Sequence, residues 1–473
     1  MRVPILRLYL LVIALFAVLV YFTSRWTVFE AGALRDNPKN ARVVLEELKI
    51  KRGAILADDG SQLARSVPAQ GGTFGRRYPT GRLFAHAIGY SNAALGQRAG
   101  LERSRNQALT GTGDEFGNLL DELRGKNQKG DAVRTTLDPR AQRVAVARLA
   151  GRNGAVVALD PRTGAVKVMA DNPTFDPEHP RTGGGSELNR ATQSNYAPGS
   201  TFKVVTAIAA IDSGRYTPSS VLNGNSPQTV SGVSLMNDFN QSFGPIPLTT
   251  ALTQSVNTVF GPLAVSLGKP TMERYMKRLG FYAKPPLDYP RDQMVASGEK
   301  AGSKLLPVTS DRVDVGRMGI GQDKLAVTPL QMAMVAAAVA NRGTLMRPHL
   351  TDRTLDPDGR VRQRIEPSVY AQAMKPGTAA AVNTMMQSVV REGTGTAAAL
   401  SGIDVAGKTG TADVPCPSAP GGTGVQTWFI AFAPAKDPRI AVAATVECSG
   451  GFGGTVAAPI AKAVMQSLLG PGA

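Results

Sequence analysis

A serine and a lysine three residues apart, Ser200-Thr201-Phe202-Lys203, head an apolar run that continues through Ala207 and Ile211 until Asp212-Ser213-Gly214 ends it. That spacing stacks an ammonium group over a hydroxyl on one face of a first helical turn. A lysine desolvated by Phe202 and Val204 favours its neutral form and can take the hydroxyl proton, so one turn would hold a nucleophile and its base. The plainer alternative is that Ser200 caps the helix after the Pro198-Gly199 break while Lys203 snorkels to solvent. Ser-x-x-Lys recurs at Ser266/Lys269 and Ser297/Lys300, but the first pair lies where Gly268 and Pro270 end a helix and the second lies in a polar loop. Neither heads an apolar helix.

Two further clusters carry groups of the right type. Ser255-Val256-Asn257 sits in a helical stretch, where a second hydroxyl can relay a proton and an amide can hold a peptide group through both donor and acceptor. Gly407-Lys408-Thr409-Gly410-Thr411 reads as a strand whose glycines let a substrate backbone lie close. Its upstream extension, Gly402 to Thr409, formally matches a phosphate-binding loop. That pattern needs a helix after Thr409, whereas Pro415 and Pro417 follow. The three histidines, His86, His179 and His349, are scattered. They suggest no metal cluster and no Ser-His-Asp triad, so the base for Ser200 must be a lysine.

These residues need a scaffold. A helix is expected from Asp138-Pro139 to about Arg152, then a hairpin over residues 154–160 and 164–170, a Pro/Gly loop over 172–190, the Ser200 helix, and a mainly helical block to about 400. Strands at 404–411, 427–432 and 439–447 follow, with a last helix from Pro459. Strands at both ends with helices between them imply an α+β domain over residues 131–473. Residues 25–130 are basic and glycine-rich, with candidate short strands at 51–56 and 72–78, and read as a small irregular domain.

The chain of 473 residues has a formal net charge of +17, which attracts it to an anionic surface, a membrane or nucleic acid. Its start favours the membrane. Residues 8–24 are uncharged and apolar, with Arg2 and Arg7 before them and Arg25 and Trp26 after, so a single spanning helix is expected, with residues 1–7 cytoplasmic and the remainder outside. No clear cleavage site for a signal peptide follows. An exported chain permits a disulfide between its two cysteines, Cys416 and Cys448. Both fall at one end of the closing sheet if its three strands run up, down and up. Two strand spacings, about 10 Å, exceed disulfide reach, so loops would have to close the gap.

The ordered trio Ser200-x-x-Lys203, Ser255-x-Asn257 and Lys408-Thr409-Gly410 resembles that of penicillin-binding proteins and serine β-lactamases. Gly319-Ile320-Gly321-Gln322, Thr328-Pro329-Leu330-Gln331-Met332-Ala333, Asn341-Arg342-Gly343 and Trp428-Phe429 extend the likeness to a transpeptidase domain. Upstream, Arg52-Gly53-Ala54-Ile55 with Asp59-Gly60, and Ala99-Gly100-Leu101-Glu102, resemble the pedestal of class B members of the actinobacterial penicillin-binding protein A type. The resemblance implies a transpeptidase fold, a central antiparallel sheet with helices on both sides, and a membrane-anchored D,D-transpeptidase that cross-links peptidoglycan stem peptides. Ser200 would be the nucleophile and Lys203 its base, with Ser255 and Lys408 handling the proton of the departing D-alanine. Asn257 would hold the donor peptide, Thr409, Gly410 and Thr411 would line the carboxylate site, and the Ser200 and Thr411 amides would form the oxyanion hole. It also implies covalent inhibition by β-lactams, no cofactor or metal, no nucleic acid, and a separate membrane glycan polymerase as partner, since the upstream region lacks the acidic motifs of a glycosyltransferase. Other readings are a penicillin-recognising hydrolase, either a D,D-carboxypeptidase or a β-lactamase, and a non-catalytic scaffold for the polymerase.

Overall fold

A computed structural model of the protein describes residues 2–29, 41–112, 129–149, 151–417 and 420–470. The parts of the expected 25–130 domain that fall on 30–40 and 113–128 lie outside these. Helix α1 (Arg2–Ser24) is longer than the expected 8–24 and takes in Arg7. Residues from Val3 to Thr27 form an apolar helical span with none of its surface buried against the protein. At about 1.5 Å per residue it is long enough to cross a bilayer and fits a single-pass anchor.

The folded part follows as β1 (Ile55–Leu56), β2 (Gln62–Pro68), β3 (Phe74–Arg77), β4 (Ala132–Thr135), α2 (Pro139–Leu149), β5 (Gly154–Leu159) and β6 (Val166–Asn172). Then come α3 (Lys203–Asp212), α4 (Asn257–Leu267), α5 (Pro329–Ala340), β7 (Thr351–Leu355), β8 (Val361–Arg364) and α6 (Pro376–Glu392). Last are β9 (Ala406–Pro415), β10 (Thr423–Ala433), β11 (Ile440–Ser449) and α7 (Gly453–Leu469). The block expected to be mainly helical is interrupted by short hairpins, among them 228–230 with 233–235, and by β7 and β8.

Strands β9, β10, β11, β5 and β6 make a five-stranded antiparallel sheet in that order, joining the early hairpin to the closing strands. Both faces are covered, which is why these strands read as continuous apolar runs. Val156, Ala158, Phe429, Ala431, Val442 and Ala444 face α2 and α7. Their alternates Val157, Trp428, Ile430, Phe432, Ala441 and Ala443 face the core that holds α3 and α5.

Helix α7 begins six residues earlier than expected and carries Pro459 inside it. A Cβ on Gly453 would overlap the Gly410 and Trp428 carbonyl oxygens. A glycine that looks like a loop residue therefore lets the first turn of α7 rest directly on β9 and β10, and the helix starts there rather than at the proline.

The second sheet runs β8-β7-β4-β1-β2-β3 and joins strands from both sides of the expected boundary at residue 131, so the amino-terminal region and the larger domain share one sheet. Behind it lies a buried ionic cluster. Glu102, with no exposed surface, accepts from Arg52 Nη2 at 2.9 Å and from Arg76 Nε at 2.5 Å. Burial opposes ionisation of Glu102, but the two guanidiniums outweigh it and hold the carboxyl below its ordinary value.

Cys416 and Cys448 are joined, with Cα atoms 5.6 Å apart. The gap expected from two strand spacings closes without long loops. The pairing of β10 with β11 is irregular between Val425 and Thr427, and Cys448 adopts a left-handed φ of 47°. Between the two cysteines lies Gly424, whose missing Cβ would sit 2.8 Å from the Cys416 sulfur. A glycine in the middle strand lets the bridge cross it.

Glu102→Ala leaves the buried Arg76 guanidinium without its carboxylate and Arg52 with only the longer 3.6 Å pairing to Glu47, and is expected to destabilise the folded domain by about 3–5 kcal/mol, measured by thermal or urea unfolding. Because the Glu102 pKa is depressed by folding, its stabilisation is present above the ordinary carboxylate pKa and is lost as pH falls through the lower folded value. The wild-type and Glu102→Ala unfolding curves should therefore converge only in strong acid. Cys416→Ser is expected to lower stability by roughly 3–4 kcal/mol under non-reducing conditions. Equal unfolding midpoints for Cys416→Ser and the parent would contradict the bridge.

Candidate active site

Ser200 does not cap a helix. It lies inside a 3₁₀ turn, Gly199–Phe202, that leads into α3, and the residues opening both elements show no side-chain cap. In a 3₁₀ turn side chains at i and i+3 eclipse, so the spacing of three aligns Ser200 with Lys203 more closely than an α-helix does. Lys203 Nζ lies 2.9 Å from Ser200 Oγ.

The turn is pressed against β9. Gly199 has φ of 52°, and a Cβ there would overlap the Thr411 carbonyl and lie 2.9 Å from its amide nitrogen. A Cβ on Gly410 would lie 2.6 Å from the Pro198 carbonyl oxygen. On the other side Gly199 N donates to Gly321 O at 3.0 Å, and Trp428 Nε1 on β10 donates to Ala197 O at 2.9 Å. Backbone contact, possible only for glycine, places the Ser200 turn against the strand that carries Lys408.

Ser255 sits between two helical segments in a left-handed conformation, φ 61°, which for a residue with a Cβ is a strain characteristic of functional sites. The turn aims two oxygens at Lys203, the Ser255 carbonyl at 2.6 Å and Oγ at 3.1 Å. Asn257 opens α4 and accepts from Lys203 through Oδ1 at 2.6 Å. Its Nδ2 donates to Met236 O at 3.0 Å. Lys408 donates to Ser255 Oγ from the opposite side at 2.9 Å and to Thr409 O at 3.0 Å. One hydroxyl thus touches both ammonium groups.

All four residues of the expected catalytic set, Ser200, Lys203, Ser255 and Lys408, therefore meet, with Asn257 beside them. Thr409 is buried and shares a 2.6 Å hydrogen bond with Thr394. Thr411 Oγ1 accepts from Gly453 N at 3.2 Å. Asp238, which opens a 3₁₀ turn and accepts from Asn257 Nδ2 at 3.4 Å, was not legible in the sequence, and neither was Thr394, because neither belongs to a motif. The rivals are accounted for elsewhere: Ser266 bonds Tyr216, Lys269 reaches Ser310 O, and Ser297 accepts from Thr328 N. Strand β9 continues from Lys408 to Pro415, so no phosphate loop forms. His86 contacts Ser186 and Asp171, His179 pairs with Asp176, and His349 contacts Arg347.

Lys203 and Lys408 are both fully buried, and among the described residues no carboxylate forms an ion pair with either. Burial brings the Lys203 pKa down to about 7, with Asp238 opposing the shift. Lys408 falls well below its ordinary value, through burial first and then through the like charge of Lys203. An amine with a pKa near 7, 2.9 Å from a hydroxyl, is a general base in place for that hydroxyl.

Residues 154–466 match the family model of the penicillin binding protein transpeptidase domain, and residues 52–133 match the penicillin binding protein A dimerisation domain. The chain is 33% identical to the peptidoglycan D,D-transpeptidase PbpA of Mycolicibacterium smegmatis over 100% of both chains. It is 32% identical to the protein of the same name from Mycobacterium tuberculosis over 99% of each. The ceftriaxone acyl-enzyme complex of penicillin-binding protein A from M. tuberculosis superposes with a TM-score of 0.80 at 30% identity, covering 90% of this chain and 100% of that one.

Because Lys203 must be neutral to accept a proton, the rate at which a sulfonyl fluoride labels Ser200 should rise with pH and level off above about 7. Lys203→Ala should lose that dependence. A pH-independent rate in the parent would remove Lys203 as the base.

Proposed function

This chain belongs to the penicillin-binding protein transpeptidases, of the penicillin-binding protein A type, and we propose that Ser200 is the nucleophile of its peptidoglycan D,D-transpeptidase activity. The observation that carries this reading is the contact of Lys203 Nζ with Ser200 Oγ at 2.9 Å, completed by a second buried lysine on Ser255 Oγ. Ser200 Oγ attacks the carbonyl carbon of the penultimate D-alanine of a donor stem peptide and passes its proton to Lys203 Nζ. The backbone amides of Ser200 and Thr411 receive the oxyanion, for which the contact of Gly199 with Thr411 sets the spacing. The C–N bond then breaks. The leaving D-alanine amine takes a proton through Ser255 Oγ, with Lys408 supporting the transfer, and the acyl-enzyme remains.

An amine from a neighbouring stem attacks the ester, restores the Ser200 hydroxyl and completes the cross-link. Asn257 holds the donor's peptide group, and Thr409, Gly410 and Thr411 receive its terminal carboxylate. β-Lactams acylate the same hydroxyl.

Arg2 and Arg7 at the start of the apolar helix support a cytoplasmic amino terminus with the catalytic domain outside. A transpeptidase acts on strands made elsewhere, so a membrane glycan polymerase is the expected partner.

Fluorescent penicillin should label the protein, and peptide mapping should place the label on Ser200. Ser200→Ala should take none. Lys203→Ala and Lys408→Ala should acylate about 10²–10⁴-fold more slowly, the usual contribution of a positioned acid or base. Release of hydrolysed penicillin as fast as acylation would favour the hydrolase reading instead.

A further inference from the structure

A carboxylate stands beside the two buried lysines of the site. Asp238 is exposed and opens the 3₁₀ turn Asp238–Asn240. Its Oδ1 accepts from Asn257 Nδ2 at 3.4 Å, and Asn257 Oδ1 in turn accepts from Lys203 Nζ at 2.6 Å, so a single amide separates this carboxylate from the base of Ser200. Among the described residues, Asp238 is the carboxylate whose charge reaches both Lys203 and Lys408, and no cationic side chain forms an ion pair with it.

The fold fixes where this charge stands. Asn237, buried next to it, holds the turn from two sides: Nδ2 donates to Gly224 O at 3.2 Å and to Gln241 O at 2.9 Å, while Oδ1 accepts from Thr258 N at 2.9 Å and from its Oγ1 at 3.0 Å. Phe239 and Asn240 follow in left-handed backbone, with φ of 56° and 55°, a strain that persists only where the surroundings impose it. Orienting the Asn257 amide does not account for the carboxylate, since Nδ2 makes its shorter bond to Met236 O at 3.0 Å. A carboxylate offers about four acceptor positions, and the contact with Asn257 uses a single one.

We propose that Asp238 captures the acceptor of the cross-linking step in its ammonium form, and so selects cationic primary amines over neutral nucleophiles for attack on the Ser200 ester. The proposal rests on the transpeptidase reading. An amine on a lysine-like side chain arrives charged near neutral pH. In a protein of formal net charge +17, and beside two lysines, it needs a counter-charge to approach. Asp238 supplies one on the side of Asn257. The docked ammonium gives one proton to water, and the free amine attacks the acyl carbon. Its second proton passes through Lys203 to Ser200 Oγ as the ester C–O bond breaks and the amide forms. Because the ion pair is lost before attack, Asp238 acts on capture and not on bond making.

The test follows acyl transfer from a D-alanyl thioester donor in the full-length protein, with Nα-acetyllysine amide as the charged acceptor and hydroxylamine as the neutral one. It is run at about pH 8, where Lys203 is largely neutral and a lysine-type amine is still charged. Asp238→Asn should raise the half-saturating concentration of acetyllysine amide relative to that of hydroxylamine by about two- to fivefold, the range of an exposed ion pair. Any effect of Asp238 on Lys203 falls on both acceptors and cancels in that ratio. Asp238→Glu, which keeps the charge, should stay near the parent, and added salt should shrink the difference between parent and Asp238→Asn. A ratio that stays constant or falls in Asp238→Asn, or a parent that acylates but transfers nothing to acetyllysine amide, would overturn the proposal. Failure of the thioester to acylate Ser200 in the parent would overturn the transpeptidase reading instead.

Discussion

The site depends on keeping two lysine side chains out of water with no carboxylate paired to either among the described residues. Such a pair in solution would be fully charged and useless as a base. Here burial disfavours the charged form of each, and the mutual repulsion of Lys203 and Lys408 around Ser255 Oγ lowers Lys408 further. The hydrogen bonds that satisfy Lys203 come from a hydroxyl of the turn it shares with Ser200, from the Ser255 hydroxyl and carbonyl, and from an amide, all neutral acceptors. Asp238 is the counterweight that keeps the Lys203 pKa near neutrality.

Much of the fold serves that burial. The five-stranded sheet is covered on both faces, and α3 is buried in the core that also holds α5, so Lys203 has no exposed surface. Glycines then bring backbone to backbone. Positions 199, 321, 410 and 453 each lie where a Cβ would strike another segment's carbonyl, and together they press the Ser200 turn and the start of α7 onto β9. Main-chain contact fixes the distance between the Ser200 turn and the Thr411 amide without depending on rotamers.

The disulfide follows the same logic at the far end of the sheet. Gly424 allows the bridge from Cys416 to Cys448 to pass over the middle strand, so the tip of the hairpin that carries Lys408 is tied to β11. Strand β11 in turn holds Glu447, which accepts from Arg190 and from Tyr196, four residues before Ser200. The walls of the cleft are thus braced from behind by contacts that take no part in the chemistry.

By itself the sequence determined the chemical groups, their order, the strands and helices that carry them, and the apolar amino-terminal helix, because these follow from local periodicity, residue type and spacing. Ser200 and Lys203 share one turn, so their pairing was legible from an offset of three. The 3₁₀ geometry, the early start of α7 at Gly453, the strained turn at Ser255 and the crossing of Gly424 by a disulfide were decided by tertiary structure alone. Each arises where segments distant in the chain approach more closely than a Cβ permits, or where a turn must aim its oxygens at a lysine more than fifty residues away. A linear sequence records which residues are small, but not what they are small for.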